Sequence, residues 1–186
     1  MARITELTQS RKAENPADLE WFWAQNDASL GEGDQDAQIE RLRDGLKRLS
    51  DQDLVDFIHL YHAVMNRTYS WRLWAAAYAI GGGCSDDGFI DFRSWLISRG
   101  KAVAEAAMAD PESLADLEFD PDEAQFEEYA YVALEEFETR SEGAPLETIY
   151  EGAGADPSNP DWEFDFDDAA EMKKRLPKLY AKFVGA

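Results

Sequence analysis

Ten residues in the middle of the chain, WRLWAAAYAI at 71–80, run directly into three glycines at 81–83. Alanine is the strongest helix former, and Trp71, Trp74 and Tyr78 fall on one side of a 3.6-residue period. The alanines between them let other helices approach closely. A helix so apolar must be central, so the rest of the chain has to supply helices that cover it. The glycines end it, because a helix commonly stops where the backbone turns left-handed.

The remaining sequence supplies such helices. Asn15-Pro16 reads as an N-cap followed by a first-turn proline, with Leu19, Phe22, Trp23 and Leu30 as the apolar face and Gly31 as the stop. Ile39, Leu42, Leu46 and Leu49 form a second stripe. Ser50-x-x-Asp53 is a variant capping box opening a third helix through Leu54, Phe57, Ile58, Tyr61 and Met65. Phe89, Phe92, Trp95 and Leu96 mark another helix, with Gly100 beyond its end. Asp110-Pro111 and Asp120-Pro121 repeat one start signal, the second leading to Phe126, Tyr129, Ala133 and Phe137. After residue 143 the chain reads as a long acidic loop, GAGADPSNPDWEFDFDD, before a short helix kinked at Pro177. Only WEFDF alternates at a strand-like period. The expected fold is mostly α, a compact multi-helix orthogonal or antiparallel bundle. Residues 1–14 are expected to be a flexible arm and 15–186 a single helical domain.

Charge is distributed unevenly along the 186 residues, which carry a net charge of −21. Residues 1–109 hold 17 acids and 12 bases, 110–168 hold 21 acids against the lone Arg140, and 169–186 hold one acid and five bases. Such a surface repels nucleic-acid phosphate and anionic membranes and attracts basic proteins or cations. It also serves plain solubility. With no signal-like amino terminus, no stretch of ~20 apolar residues and one cysteine, Cys84, the expected location is the cytoplasm.

The most unusual segment is GGGCSDDGFIDFRSWLISRG at 81–100. Gly82, Gly83 and Ser85 at a helix start offer backbone N–H groups to an anion. Asp86 and Asp87 place their own charge there, so a self-capped turn, with Arg93 paired to one of the aspartates, is the competing structural reading. Cys84 has no histidine near it in sequence, and the aspartates raise its pKa, which suits a small buried thiol better than a nucleophile. His59 and His62, three apart, could join Asp86 and Asp87 around a cation, but the spacing matches no specific metal motif, and no metal or cofactor is expected. Trp71, Trp74, Tyr78, Phe89 and Trp95 suit a hydrophobic core, with a pocket for a flat ligand as the alternative.

The run from Trp71 to residue 117 resembles the bacterial family known as domain of unknown function 4240, through LWxAAY followed by GGGCSDDxFxxFRxWLIxxG. The resemblance extends from Leu19-Glu20-Trp21-Phe22-Trp23 to LPKLYAKF, ending at residue 183. Its characteristic positions fall on Trp74, Tyr78, Gly82, Cys84, Ser85, Asp86, Asp87, Phe89, Phe92, Arg93, Trp95, Leu96 and Gly100. It implies a bacterial cytosolic domain, sometimes joined to a WGR module that this sequence lacks, and it implies no activity.

These readings lead to one expected function and two alternatives. The expected one is a non-enzymatic regulatory or immunity-like module that binds a basic protein partner through the acidic face of 110–168, without direct contact to nucleic acid. The alternatives are an enzyme or small-ligand or cation-binding domain built around GGGCSDDGF, and a nucleic-acid mimic.

Overall fold

The apolar window and its neighbours form helices as their spacing requires. In the computed structural model, residues 3–144, 146 and 156–185 are described. Among them the regular structure is helical: α1 (Pro16–Asp27), α2 (Gln35–Leu46), α3 (Asp51–Arg67), α4 (Trp71–Gly81), α5 (Asp86–Ser98), α6 (Lys101–Ala109), α7 (Glu127–Arg140), α8 (Ala169–Arg175) and α9 (Pro177–Leu179), which runs on into a π-helical turn, Tyr180–Val184. Short 3-10 turns stand at Ile4–Glu6, Pro111–Asp116, Pro121–Glu123 and Pro160–Trp162. Among the described residues the single β-bridge joins Ser70 and Ser158. Two compact units emerge, one from residues 1–66 and 128–154, the other from 67–127 and 155–186.

In the first unit, α1 starts where expected, with the Asn15 side chain accepting from the Ala17 N–H and Pro16 in the first turn. It stops at Asp27, short of Gly31, and Leu30 is 44 % exposed. The reason is a buried polar cluster that no local signal announces. Ser29 Oγ donates to the Asn26 carbonyl, and Tyr129 Oη donates to Asn26 Oδ1 at 2.9 Å. Ser50 Oγ caps α3 by accepting from the Asp53 N–H. Phe22 lies 5.1 Å from Phe57, centroid to centroid, at the heart of this unit's core. Arg140, the lone base of the acidic segment, donates to the Leu46 and Leu49 carbonyls and pairs with Asp51 and Glu136. It thereby places a cationic donor at the C-terminal end of α2, where the helix dipole favours positive charge.

Within the stretch read as an arm, residues 3–14 make several contacts. Ile4 is buried, and the fully buried Asp56 carboxylate accepts from the Ser10 N–H and hydroxyl and from the Arg11 N–H and guanidinium. Arg11 also lies over the Trp21 ring, 3.8 Å from its centroid.

In the second unit, α4 is central as its composition demands, with Leu73, Ala75, Ala76, Ala77, Ala79 and Ile80 buried. Ser70 caps its start and Gly82, at φ 65°, caps its end. Helix α6 comes after α5 beyond Gly100, whose φ of 90° makes the break. The two Asp-Pro starts hold as caps, but each opens a 3-10 turn. Glu112 accepts from the Lys178 and Leu179 N–H groups and so caps α9 from outside its own segment. Of the long acidic loop, 147–155 lies outside the described residues, and 156–168 is irregular chain around the turn at Pro160–Trp162.

Candidate functional site

The GGGCSDD turn is built from the backbone outward. Gly82 and Gly83 carry φ of 65° and 142°, and the Gly83 N–H donates back to the Tyr78 carbonyl. The chain reverses there and enters α5, where Ser85 Oγ accepts from the Gly88 N–H at 3.1 Å. Ser85 is thus the cap, and Asp86 and Asp87 are exposed first-turn acids, favoured by the helix dipole. Trp74 Nε1 donates to the Cys84 carbonyl and ties the turn to α4. Burial, then the charges of Asp91 and Asp86, pushes the half-buried Cys84 thiol up to about 11. At neutral pH it is a thiol and a poor nucleophile.

The expected pairing of Arg93 with Asp86 or Asp87 does not occur: among the described residues, neither aspartate forms an ion pair with it. Arg93 is 8 % exposed, donates to the Phe89 carbonyl, and stacks its guanidinium 4.8 Å from the Tyr69 ring centroid and 5.0 Å from that of Phe89. Asp86 is seven residues away, about 10 Å along the helix axis, whereas Phe89 lies one turn back.

The aromatic residues divide into two sets. Phe89 and Trp95 are buried, Trp95 against Phe92 and Phe119. Trp71, Trp74 and Tyr78 are half-buried, and Trp71 stacks on Trp74 with centroids 5.3 Å apart and planes 13° from parallel. The segment WEFDF supplies rings that its short alternation alone does not place. Phe166 packs on Trp71 and Tyr78, and Phe164 on Phe166. Alternation is the available signal, since it puts Trp162, Phe164 and Phe166 on one side of an extended chain. Tyr78 Oη donates to the Asp167 carboxylate, and this bond, with the burial and charge around it, raises the phenol above its ordinary range.

His59 and His62 belong to the first unit and Asp86 and Asp87 to the second. The histidines border a cavity of about 670 Å³ between residues 5–14 and α3, with Asn66 and Leu146 also on its wall. None of the GGGCSDD residues lines it. Burial, and secondarily the neighbouring His59, pushes His62 down to about 4, so it is neutral at pH 7. Among the described residues, no group of three or more His, Cys, Asp or Glu side chains is placed to hold a metal.

The acidic segment is mostly surface. On α7, Glu128, Glu135 and Glu138 are exposed, and Tyr131 is exposed to 48 % among them. Arg43 engages Glu135. In the second unit Lys178 and Lys182 pair with Asp116 and Glu118, while Asp122, Asp156 and Glu163 stand exposed. No helix among the described residues is long and apolar enough to cross a membrane.

Comparison with known proteins places most of these elements in one family. Residues 18–139 match the family described as Protein of unknown function (DUF4240). The match takes in the helices from α1 almost to the end of α7, including the GGGCSDD turn. It stops short of WEFDF and the last helices, so the expected extension of the resemblance to residue 183 is not part of the match. No curated protein and no solved structure matches the chain. With most of its length under that match, the chain belongs to the DUF4240 family.

Proposed function

We propose that this chain is a docking module that binds a basic protein partner through exposed acids within the segment 110–168, in a regulatory or immunity-like role. The observation that carries the reading is the outward face of α7, where Tyr131, 48 % exposed, is set among Glu128, Glu135 and Glu138. A tyrosine within carboxylates suits an arginine- or lysine-bearing surface, because ring and charge both favour the incoming cation. The rival enzymatic reading has less support at GGGCSDD. Ser85 spends its hydroxyl on a helix cap, Cys84 is held protonated, and the aspartates border no part of the cavity.

The test pairs capture with charge reversal. Glu128→Lys with Glu138→Lys is the informative combination, since Glu135 already has Arg43. Proteins retained by the wild type at low ionic strength should be basic, and the double reversal should weaken their binding at least tenfold, about 1.4 kcal/mol. Retention of neutral or acidic proteins, unaffected by the reversal, would contradict the reading.

A further inference from the structure

The second unit carries a surface where exposed acidic side chains alternate with half-buried aromatic rings. Trp162, Phe164 and Phe166 alternate with exposed Glu163, Asp165 and Asp167; Phe166 adjoins half-buried Trp71 and Tyr78, and Phe164 adjoins Phe166. Within this unit the segment already takes guanidinium groups. Arg72 and Arg175 lie over the Trp162 ring at 5.3 and 5.2 Å from its centroid, and Arg175 lies 4.8 Å from that of Phe164. We infer that the surface formed by Trp162–Asp168 with Trp71 and Tyr78 reads arginine, accepting an arginine-containing segment of a basic protein.

The occupant is set by charge and ring chemistry together. Carboxylates alone attract any cation, and a lysine ammonium satisfies them as a point charge. Arginine adds a planar face that stacks on a ring while its N–H fork meets carboxylates. Glu163 is exposed, stands between Trp162 and Phe164 in sequence, and forms no ion pair among the described residues, so its carboxylate can take that fork. Asp167 has its own role, holding the Tyr78 hydroxyl and with it the position of the ring. The inference rests on the docking reading above and deepens it, by naming the residue type that a partner presents and the segment that receives it.

The probes are three short synthetic peptides of identical length, alternating serine with arginine, with lysine, or with the neutral isostere citrulline. Binding is monitored by calorimetry and by tryptophan fluorescence. The arginine peptide should bind more tightly than the lysine peptide by roughly twofold to fivefold for each ring contact, and the citrulline peptide should not bind measurably. Glu163→Lys should weaken the arginine peptide severalfold. Phe166→Leu, which keeps an apolar side chain while removing the ring, should shrink the arginine-over-lysine preference, and unchanged thermal melting would show that the unit still folds. Glu128→Lys on α7 serves as the control in the other unit. Equal binding of the arginine and lysine peptides, insensitive to Glu163→Lys and Phe166→Leu but lost on Glu128→Lys, overturns this inference and leaves the docking reading standing. No binding of either cationic peptide overturns both. Self-association of the free protein that Glu163→Lys abolishes would seat a second copy of the chain here, and so overturn the assignment to a partner.

Discussion

At Gly83 the backbone holds φ +142°, a conformation that L side chains rarely adopt, with open space where a Cβ would stand. Substitution there meets backbone strain rather than a clash. Gly83→Ala should cost roughly 1–2 kcal/mol, whereas Gly81→Ala, at the last position of α4 and likewise unobstructed, should be neutral or slightly stabilising. Chemical denaturation of the pair tests whether the glycine run serves the turn itself; equal effects would contradict that account. Two residues on, Ser85→Ala should cost ~1 kcal/mol as a lost cap, while Asp86→Ala and Asp87→Ala should each cost only about 0.3–1 kcal/mol of dipole stabilisation. His62 sets a pH dependence. Its folded pKa of about 4 lies below the ordinary 6.5, so the unfolded chain binds the proton more readily between those values. Its contribution is complete above pH 6.5 and is lost as pH falls toward 4, to an extent of up to ~3 kcal/mol. Because acidification also relieves repulsion among carboxylates, the measurement is a difference: wild type should lose stability relative to His62→Asn between pH 6.5 and 4, and parallel curves would refute it.

At the scale of elements, helix starts were legible and helix ends were less so. Asn15, Ser50, Asp110 and Asp120 all act as caps, because capping is local chemistry between a side chain and an N–H two or three residues on. How far a helix runs beyond its cap depends on distant partners. Helix α1 ends early because Asn26 and Ser29 meet Tyr129 a hundred positions away, and α9 is capped by Glu112 from another segment. The Arg93 pairing fails for a different reason: neighbouring charges in sequence suggest an ion pair, but helix geometry brings the ring of Phe89 within reach instead. The role of GGGCSDD as cap and turn was open to sequence reasoning; the rings of WEFDF against α4 were not, since their partners are about ninety residues apart. Asp56 carries the clearest test of an element. Asp56→Ala should release residues 8–12, seen as faster amide exchange at Ser10 and Arg11, whose N–H groups it accepts. Unchanged exchange there would mean that the segment is held by other contacts.

Over the whole molecule the dominant quantity is the net charge of −21, with its excess of acid concentrated between residues 110 and 168. Glu135, Glu136, Asp116 and Glu118 each pair with a base, while Glu128, Glu138, Asp122 and Asp156 stand exposed, and repulsion among exposed carboxylates is screened over a Debye length of ~8 Å at physiological salt. The free protein should therefore melt at a higher temperature as salt is raised from very low concentration; a steady fall would mean that its ion pairs outweigh its repulsion. Steering of a basic partner by this charge is tested most directly by the association rate of a captured partner as a function of ionic strength. The rate should fall steeply with added salt while dissociation changes little, and the slope should be shallower for Glu128→Lys combined with Glu138→Lys. An association rate indifferent to salt and to both reversals would contradict such steering.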